Sequence, residues 1–190
     1  VVYSAVIARG LGPDDYGLYV SIFAVIGIVF LLIKLGIEKI INVKFPELIV
    51  KSAKIGKARI VYFIRTLFFY RLTILLIAAI ILYIYAPQIA KMIHQEGISA
   101  YLPLASIYVI FMGLVSFFSM VFRAQLKIKF TKTLEAFQQI TALFIAFILL
   151  KRGFGIKGVL YATIMASILS FLIYFFFSRD YLFGKSAKFN

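Results

Sequence analysis

A succession of long apolar runs constrains this chain more than any other feature, because each run approaches the roughly 20 residues that a helix needs to cross a bilayer. Of its 190 residues, 64% are hydrophobic and only 15% are charged, and a soluble domain of this size cannot bury so much apolar surface in one core. We therefore predict an all-α fold, a polytopic transmembrane helical bundle of about six helices with the first one truncated. The predicted spans cover approximately residues 1–8, 16–37, 67–90, 101–122, 132–150 and 158–178.

The basic residues lie between the apolar runs, whereas a nucleic-acid-binding protein with the same net charge of +14 would spread them over one face. Cytoplasmic loops of membrane proteins are enriched in Lys and Arg, and alternate loops of this chain differ in that way. We predict a multi-pass protein of the cell (inner or plasma) membrane that contacts membrane lipids and binds no nucleic acid. The Asp14–Asp15 turn is predicted to lie outside, and the 39–65 loop and the C-terminus in the cytoplasm.

The charge bias behind this topology is 14 basic residues against five. The predicted cytoplasmic loops hold Lys39, Lys44, Lys51, Lys54, Lys57, Arg59, Arg65, Arg123, Lys127, Lys129, Lys132, Arg179, Lys185 and Lys188. The predicted outside loops hold Arg9, Lys91, Lys151, Arg152 and Lys157.

Two connecting segments complete the predicted organisation, in which residues 1–178 form one transmembrane lobe. Residues 39–65 form a basic, cytoplasmic connector that turns amphipathic from about Lys54, as in helices that lie on a membrane surface. Residues 179–190 are predicted to be a cytoplasmic tail, or a linker to a missing second lobe. The last span carries small residues at four-residue spacing, which favours close helix packing in lipid: Gly158, Ala162, Ala166 and Ser170.

Catalytic, metal and cofactor sites are not predicted, and the protein is not expected to be an enzyme. The chain has no cysteine, a single histidine (His94) and seven scattered acidic residues, which offers neither a thiolate site nor a paired acid and base. Gly153, Gly155 and Gly158 match a dinucleotide-binding pattern, but that pattern needs a preceding strand. We interpret these glycines as a tight turn between two helices.

Cations in or beside the spans are the strongest candidates for function. Lys34 and Arg71 fall inside predicted spans, and Arg9 and Arg123 lie at span ends. An ionisable residue inside a span often marks a substrate pathway, and a cationic cavity would suit a phosphate or pyrophosphate group. The alternative is that these long side chains extend to the lipid headgroups, and the sequence leaves both interpretations open.

The first 50 residues carry a specific resemblance. Residues 8–19 read A-R-G-L-G-P-D-D-Y-G-L-Y, and residues 35–48 read L-G-I-E-K-I-I-N-V-K-F-P-E-L. This pattern resembles polysaccharide biosynthesis proteins, the Wzx-type oligosaccharide flippases of the multidrug/oligosaccharidyl-lipid/polysaccharide exporter superfamily. Lys34 stands where many members carry an acidic residue.

The resemblance implies that the chain is the N-terminal lobe of a two-lobe exporter whose second lobe belongs to the same polypeptide. Members move anionic, polyprenyl-(pyro)phosphate-linked oligosaccharides from the inner to the outer leaflet. The alternatives are a lipid II flippase, a drug/cation antiporter, a membrane-bound polymerase or glycosyltransferase, and a scaffold that transports nothing.

Overall fold

The computed structural model describes the backbone of residues 2–34 and 57–183, and the side chains of residues 3–33 and 61–179. All regular structure in these residues is helical, which confirms the all-α prediction. The described residues contain a 3₁₀ turn at Glu96–Ile98 and seven α-helices: α1 (Val2–Leu11), α2 (Pro13–Lys34), α3 (Lys57–Ile84), α4 (Ala86–Met92), α5 (Leu102–Ala124), α6 (Ile128–Lys151) and α7 (Gly155–Phe183).

Local sequence explains why α1 ends where α2 begins. Gly12 has a φ of 80°, a left-handed conformation that favours glycine and interrupts the helix. Pro13 then occupies the first position of α2, where its missing N–H costs no hydrogen bond. Asp14 and Asp15 lie in the first turn and offset the positive end of the helix dipole.

The third predicted span differs from the observed helices at both ends. The helix α3 runs without interruption from Lys57 to Ile84 and includes the end of the predicted amphipathic connector. The chain turns at Tyr85, and the short helix α4 follows with Pro87 in its first turn. Residues 39–56 of the connector and the 184–190 part of the tail lie outside the described residues.

The helix α7 organises the bundle, because it packs along both α5 and α6 while α3 packs along α5. The predicted small-residue stripe of α7 is buried in these contacts. The α1–α2 turn, the 3₁₀ turn and the start of α7 lie together, since a Cβ built on Gly97 would contact Leu18 and one built on Gly155 would contact Asp15. We call this end of the bundle the Gly12 end and the opposite end the Arg123 end.

The surface of the bundle is more apolar than parts of its interior. Large apolar side chains such as Leu31 and Phe144 are exposed, whereas Ser167 and Ser170 are fully buried. This distribution is expected when lipid, rather than water, surrounds the helices. Five helices in the described residues are long and apolar enough to span a membrane, so the chain is a multi-pass membrane protein.

Candidate functional site

A cavity of about 590 Å³ is lined mainly by α5 and α6, and α1, α2 and α7 contribute the rest of its wall. It exists because α5 and α6 each pack on α7 and have few direct contacts with each other. Its wall changes character along its length, from ionic groups near the Arg123 end, through amides and hydroxyls, to aromatic rings toward the Gly12 end.

The ionic part of the cavity is centred on Glu135, the eighth residue of α6. Arg123, in the last turn of α5, forms an ion pair with Oε1 of Glu135 through Nη2. Lys132 forms the second ion pair, with 2.8 Å between its Nζ and Oε2 of Glu135. Ser119 Oγ donates a further hydrogen bond to Oε1 at 3.3 Å. Two cations and one carboxylate leave one net positive charge at this position.

Amide and hydroxyl groups meet in the middle of the bundle. Gln138 Nε2 donates to Ser167 Oγ at 3.2 Å and lies 3.4 Å from Met112 Sδ. These residues belong to α6, α7 and α5 respectively, and each lies near the midpoint of its helix. An amide at this depth in a lipid-embedded bundle must have polar partners, and here it lines the cavity.

Aromatic rings form the rest of the wall. Tyr19 and Phe23 of α2 have ring centroids 4.7 Å apart, and Phe23 and Tyr108 of α5 have centroids 5.6 Å apart. Tyr3 of α1 lines the same part of the cavity. Together with the ionic part, these rings give the cavity places for an anion and for a polar molecule with apolar faces.

The structure separates the four cations that the sequence marks as candidates. Of the three candidates whose side chains the structure describes, only Arg123 lines the main cavity. Arg9 lines a second groove of about 340 Å³ between α1 and α6 at the Gly12 end, beside Phe147 and Lys151. Lys34 is the last residue of α2, and its side chain lies outside the described residues.

Arg71 occupies a different environment, inside the protein at the middle of the α3 span. Its side chain is 0% exposed, and Nη1 donates to the carbonyl oxygen of Ile33 at 3.0 Å. Ile33 belongs to α2, so this hydrogen bond links α2 to α3. Arg71 therefore neither extends to the bundle surface nor lines the described cavity.

Glu135, Gln138 and the aromatic wall were not marked by the sequence. The sequence of α6 nevertheless contains a pattern that could have indicated them. This helix has the lowest mean hydropathy of the five candidate spans, 1.7. Its polar residues Glu135, Gln138 and Gln139 recur at spacings of three and four, which places them on one helix face. The cavity is on that face.

The glycine pattern at 153–158 is a turn, as predicted. Gly153 and Gly155 have φ values of 78° and 51°, and a Cβ on Gly158 would overlap the side chain of Phe154. Among the described residues, no group of three or more His, Asp or Glu side chains is arranged to hold a metal ion.

The fold and the cavity define a class, the multi-pass helical membrane proteins with a polar chamber between their helices. Comparison with known families matches residues 6–184 to the family described as polysaccharide biosynthesis protein, and the chain belongs to that family. Neither the curated proteins nor the solved structures gave a match.

Proposed function

We propose that this protein moves polyprenyl-(pyro)phosphate-linked oligosaccharides from the inner to the outer leaflet during polysaccharide biosynthesis. The observation that carries the proposal is the cavity, which lies among apolar spans yet has ionic, amide and aromatic groups on its wall. Polar groups at membrane depth are costly and typically mark a pathway for a polar substrate. Family membership supports a role in polysaccharide biosynthesis.

The parts of the cavity match the parts of such a substrate. Arg123 on the cavity wall, and Lys132 beside it on α6, supply the charge-assisted donors that phosphate oxygens prefer. Gln138 offers an amide to sugar hydroxyls, and the rings of Tyr19 and Tyr108 offer faces to the apolar sides of sugar rings. We expect the lipid tail to stay among the exposed apolar side chains, in contact with the membrane.

The other candidate cations take different roles in this proposal. Arg9 and Lys151 in the second groove are proposed to meet substrate or lipid phosphates at the Gly12 end, which we expect to face outward. Arg71 is proposed to hold α2 and α3 together. The second lobe of the same polypeptide, implied by the family resemblance, would complete the chamber.

A cation antiporter is the second candidate, and Glu135 is the observation that favours it. A carboxylate on the cavity wall is the kind of group that binds a transported cation. Here, however, both carboxylate oxygens already have cationic partners, and the site keeps a net positive charge. The arrangement therefore favours an anionic substrate over a cationic one.

The proposal is tested by deleting the gene and measuring both surface polysaccharide and lipid-linked precursor. A flippase defect removes surface polysaccharide while assembled precursor accumulates on the inner leaflet. Wild-type protein is expected to restore export, and Arg123→Ala at equal membrane abundance is not. Absent precursor would instead indicate an enzyme of assembly, and full rescue by Arg123→Ala would refute the role assigned to Arg123. If the protein is instead a lipid II flippase, the deletion strain would accumulate peptidoglycan precursor.

A further inference from the structure

Glu135 is the group on the cavity wall whose role the proposed function leaves open. Its two oxygens accept from donors on two helices, Arg123 and Ser119 of α5 and Lys132 of α6. In the described structure this carboxylate occupies the donors that a phosphate would need. An anion that takes both Nη2 of Arg123 and Nζ of Lys132 must first displace it.

The ion pair also bridges a gap in the bundle. Because α5 and α6 pack mainly on α7, the contact of Arg123 with Glu135 is one of the few direct links between them. Both side chains remain open to the cavity, with 46% of Arg123 and 29% of Glu135 exposed. Ion pairs that solvent reaches contribute little to stability, so a competing anion can break this one at small cost.

A pyrophosphate group is a stronger partner for these donors than a carboxylate. It carries more negative charge and more acceptor oxygens, and it accepts paired hydrogen bonds from one guanidinium. Once it occupies Arg123 and Lys132, the displaced carboxylate of Glu135 lies beside another anion, which favours eventual release of the ligand.

We propose that Glu135 is the internal counter-anion of the empty cavity, which holds Arg123 and Lys132 until a phosphate or pyrophosphate group displaces it. Glu135 thereby lowers the affinity for anions and speeds their release, so that the cavity binds its substrate without trapping it. This inference rests on the proposed function, because it assigns the same cavity an anionic ligand.

The test measures anion binding to the full-length protein in phosphatidylcholine nanodiscs at low salt. Inorganic pyrophosphate and farnesyl pyrophosphate are the probes, and calorimetry gives their Kd. Glu135→Gln keeps the side-chain size and a carbonyl acceptor for Ser119. It is expected to tighten pyrophosphate binding by about tenfold and to slow dissociation, since coupling between close charges at binding sites is of this order or larger.

Two further variants show whether the effect acts through Arg123. Arg123→Gln is expected to weaken binding about tenfold or more, by the same reasoning. In the double variant Arg123→Gln/Glu135→Gln, most of the gain from Glu135→Gln should disappear, because the carboxylate has no guanidinium to occupy. A gain that persists in full would overturn the role assigned to Arg123.

Glu96→Gln is the matched control. It makes the same change of net charge at an exposed position in the 3₁₀ turn, at the Gly12 end of the bundle and outside the cavity wall. Its affinity for pyrophosphate should equal that of the wild type. If Glu135→Gln binds no tighter than this control, or if neither probe binds the wild type or Glu135→Gln, the counter-anion role is wrong.

A purely structural ion pair predicts the opposite result. Glu135→Gln would then lower the thermal midpoint of the protein and weaken anion binding. Similar affinities for the two probes would support the counter-anion role with a free anion as ligand, and tighter binding of farnesyl pyrophosphate would support it with a lipid-linked one. These measurements are independent of the deletion strain, so normal polysaccharide in that strain would refute the proposed function and leave the counter-anion result standing.

Discussion

Two arginines of this protein, Arg71 on α3 and Arg123 on α5, lie in opposite kinds of environment. Arg71 is fully buried and donates to the end of α2, and Leu75, one turn along the same face, is also fully buried. Arg123 is about half exposed, faces a cavity and pairs with another side chain. The contrast is between a fully buried cation that contacts a neighbouring helix and a half-exposed cation on a cavity wall.

The two arginines differ in the groups that their side chains contact. Arg71 is buried and donates to a backbone carbonyl group of α2. Arg123 faces α6, which is held away by α7 and presents Glu135. The position of an arginine within a predicted span therefore does not by itself indicate that it binds substrate; the groups that it contacts must also be known.

The largest effect is expected from truncating Arg71. Arg71→Ala removes a buried side chain and leaves the Ile33 carbonyl without its donor, which should destabilise the protein by about 3 kcal/mol or more. Arg123→Ala, at a half-exposed site, should cost about 1 kcal/mol or less. Thermal stability of the full-length protein in detergent, followed by size-exclusion chromatography, measures both.

The comparison also predicts how the two variants affect export. Arg71→Ala should reduce export in proportion to the folded protein that remains, whereas Arg123→Ala should reduce export with normal amounts of folded protein. Equal stability of the two variants, or loss of export in fully folded Arg71→Ala, would remove the distinction between the two regions.

A second prediction concerns how tightly the Arg71 region is packed. A Cβ built on Gly113 of α5 would overlap the buried side chain of Leu75 on α3. Gly113→Ala should therefore force these helices apart and cost about 1–3 kcal/mol. Gly27→Ala on α2 is the matched control, because its Cβ would meet nothing within 4 Å. Equal thermal midpoints for the two variants would show that this region has room to adjust.

The smallest effect on stability is expected in the cavity wall. Gln138→Leu removes the hydrogen bond to Ser167, but Ser167 Oγ still donates to the Thr163 carbonyl oxygen at 2.8 Å. Such a bond between membrane helices contributes about 0.6 kcal/mol, so folding should be nearly unchanged while export falls. Gln88→Leu, at an exposed position of α4, should alter neither. A large loss of stability in Gln138→Leu would place Gln138 with Arg71 among the residues that hold the helices together.

The helices themselves were readable from the sequence. Apolar runs predict spans because each helix that crosses the bilayer must be long enough and apolar enough, whatever the other helices are. The turn at Gly12 and Pro13 and the glycine turn at 153–155 follow from backbone preferences that act within a few residues. The family resemblance in the first 50 residues agrees with the family match over residues 6–184.

The candidate site was only partly readable, because its contacts join residues on different helices. Arg71 with Ile33, Arg123 with Glu135, and Gln138 with Ser167 each pair side chains or backbone groups from separate spans. Hydropathy predicts that a helix crosses the membrane. The rotation of that helix about its own axis decides which side chains face lipid, core or cavity. Sequence alone determined a helical membrane protein with basic residues between its spans. Only the packing of α5 and α6 on α7 decided that a cavity exists and that Arg123, rather than Arg71, faces it.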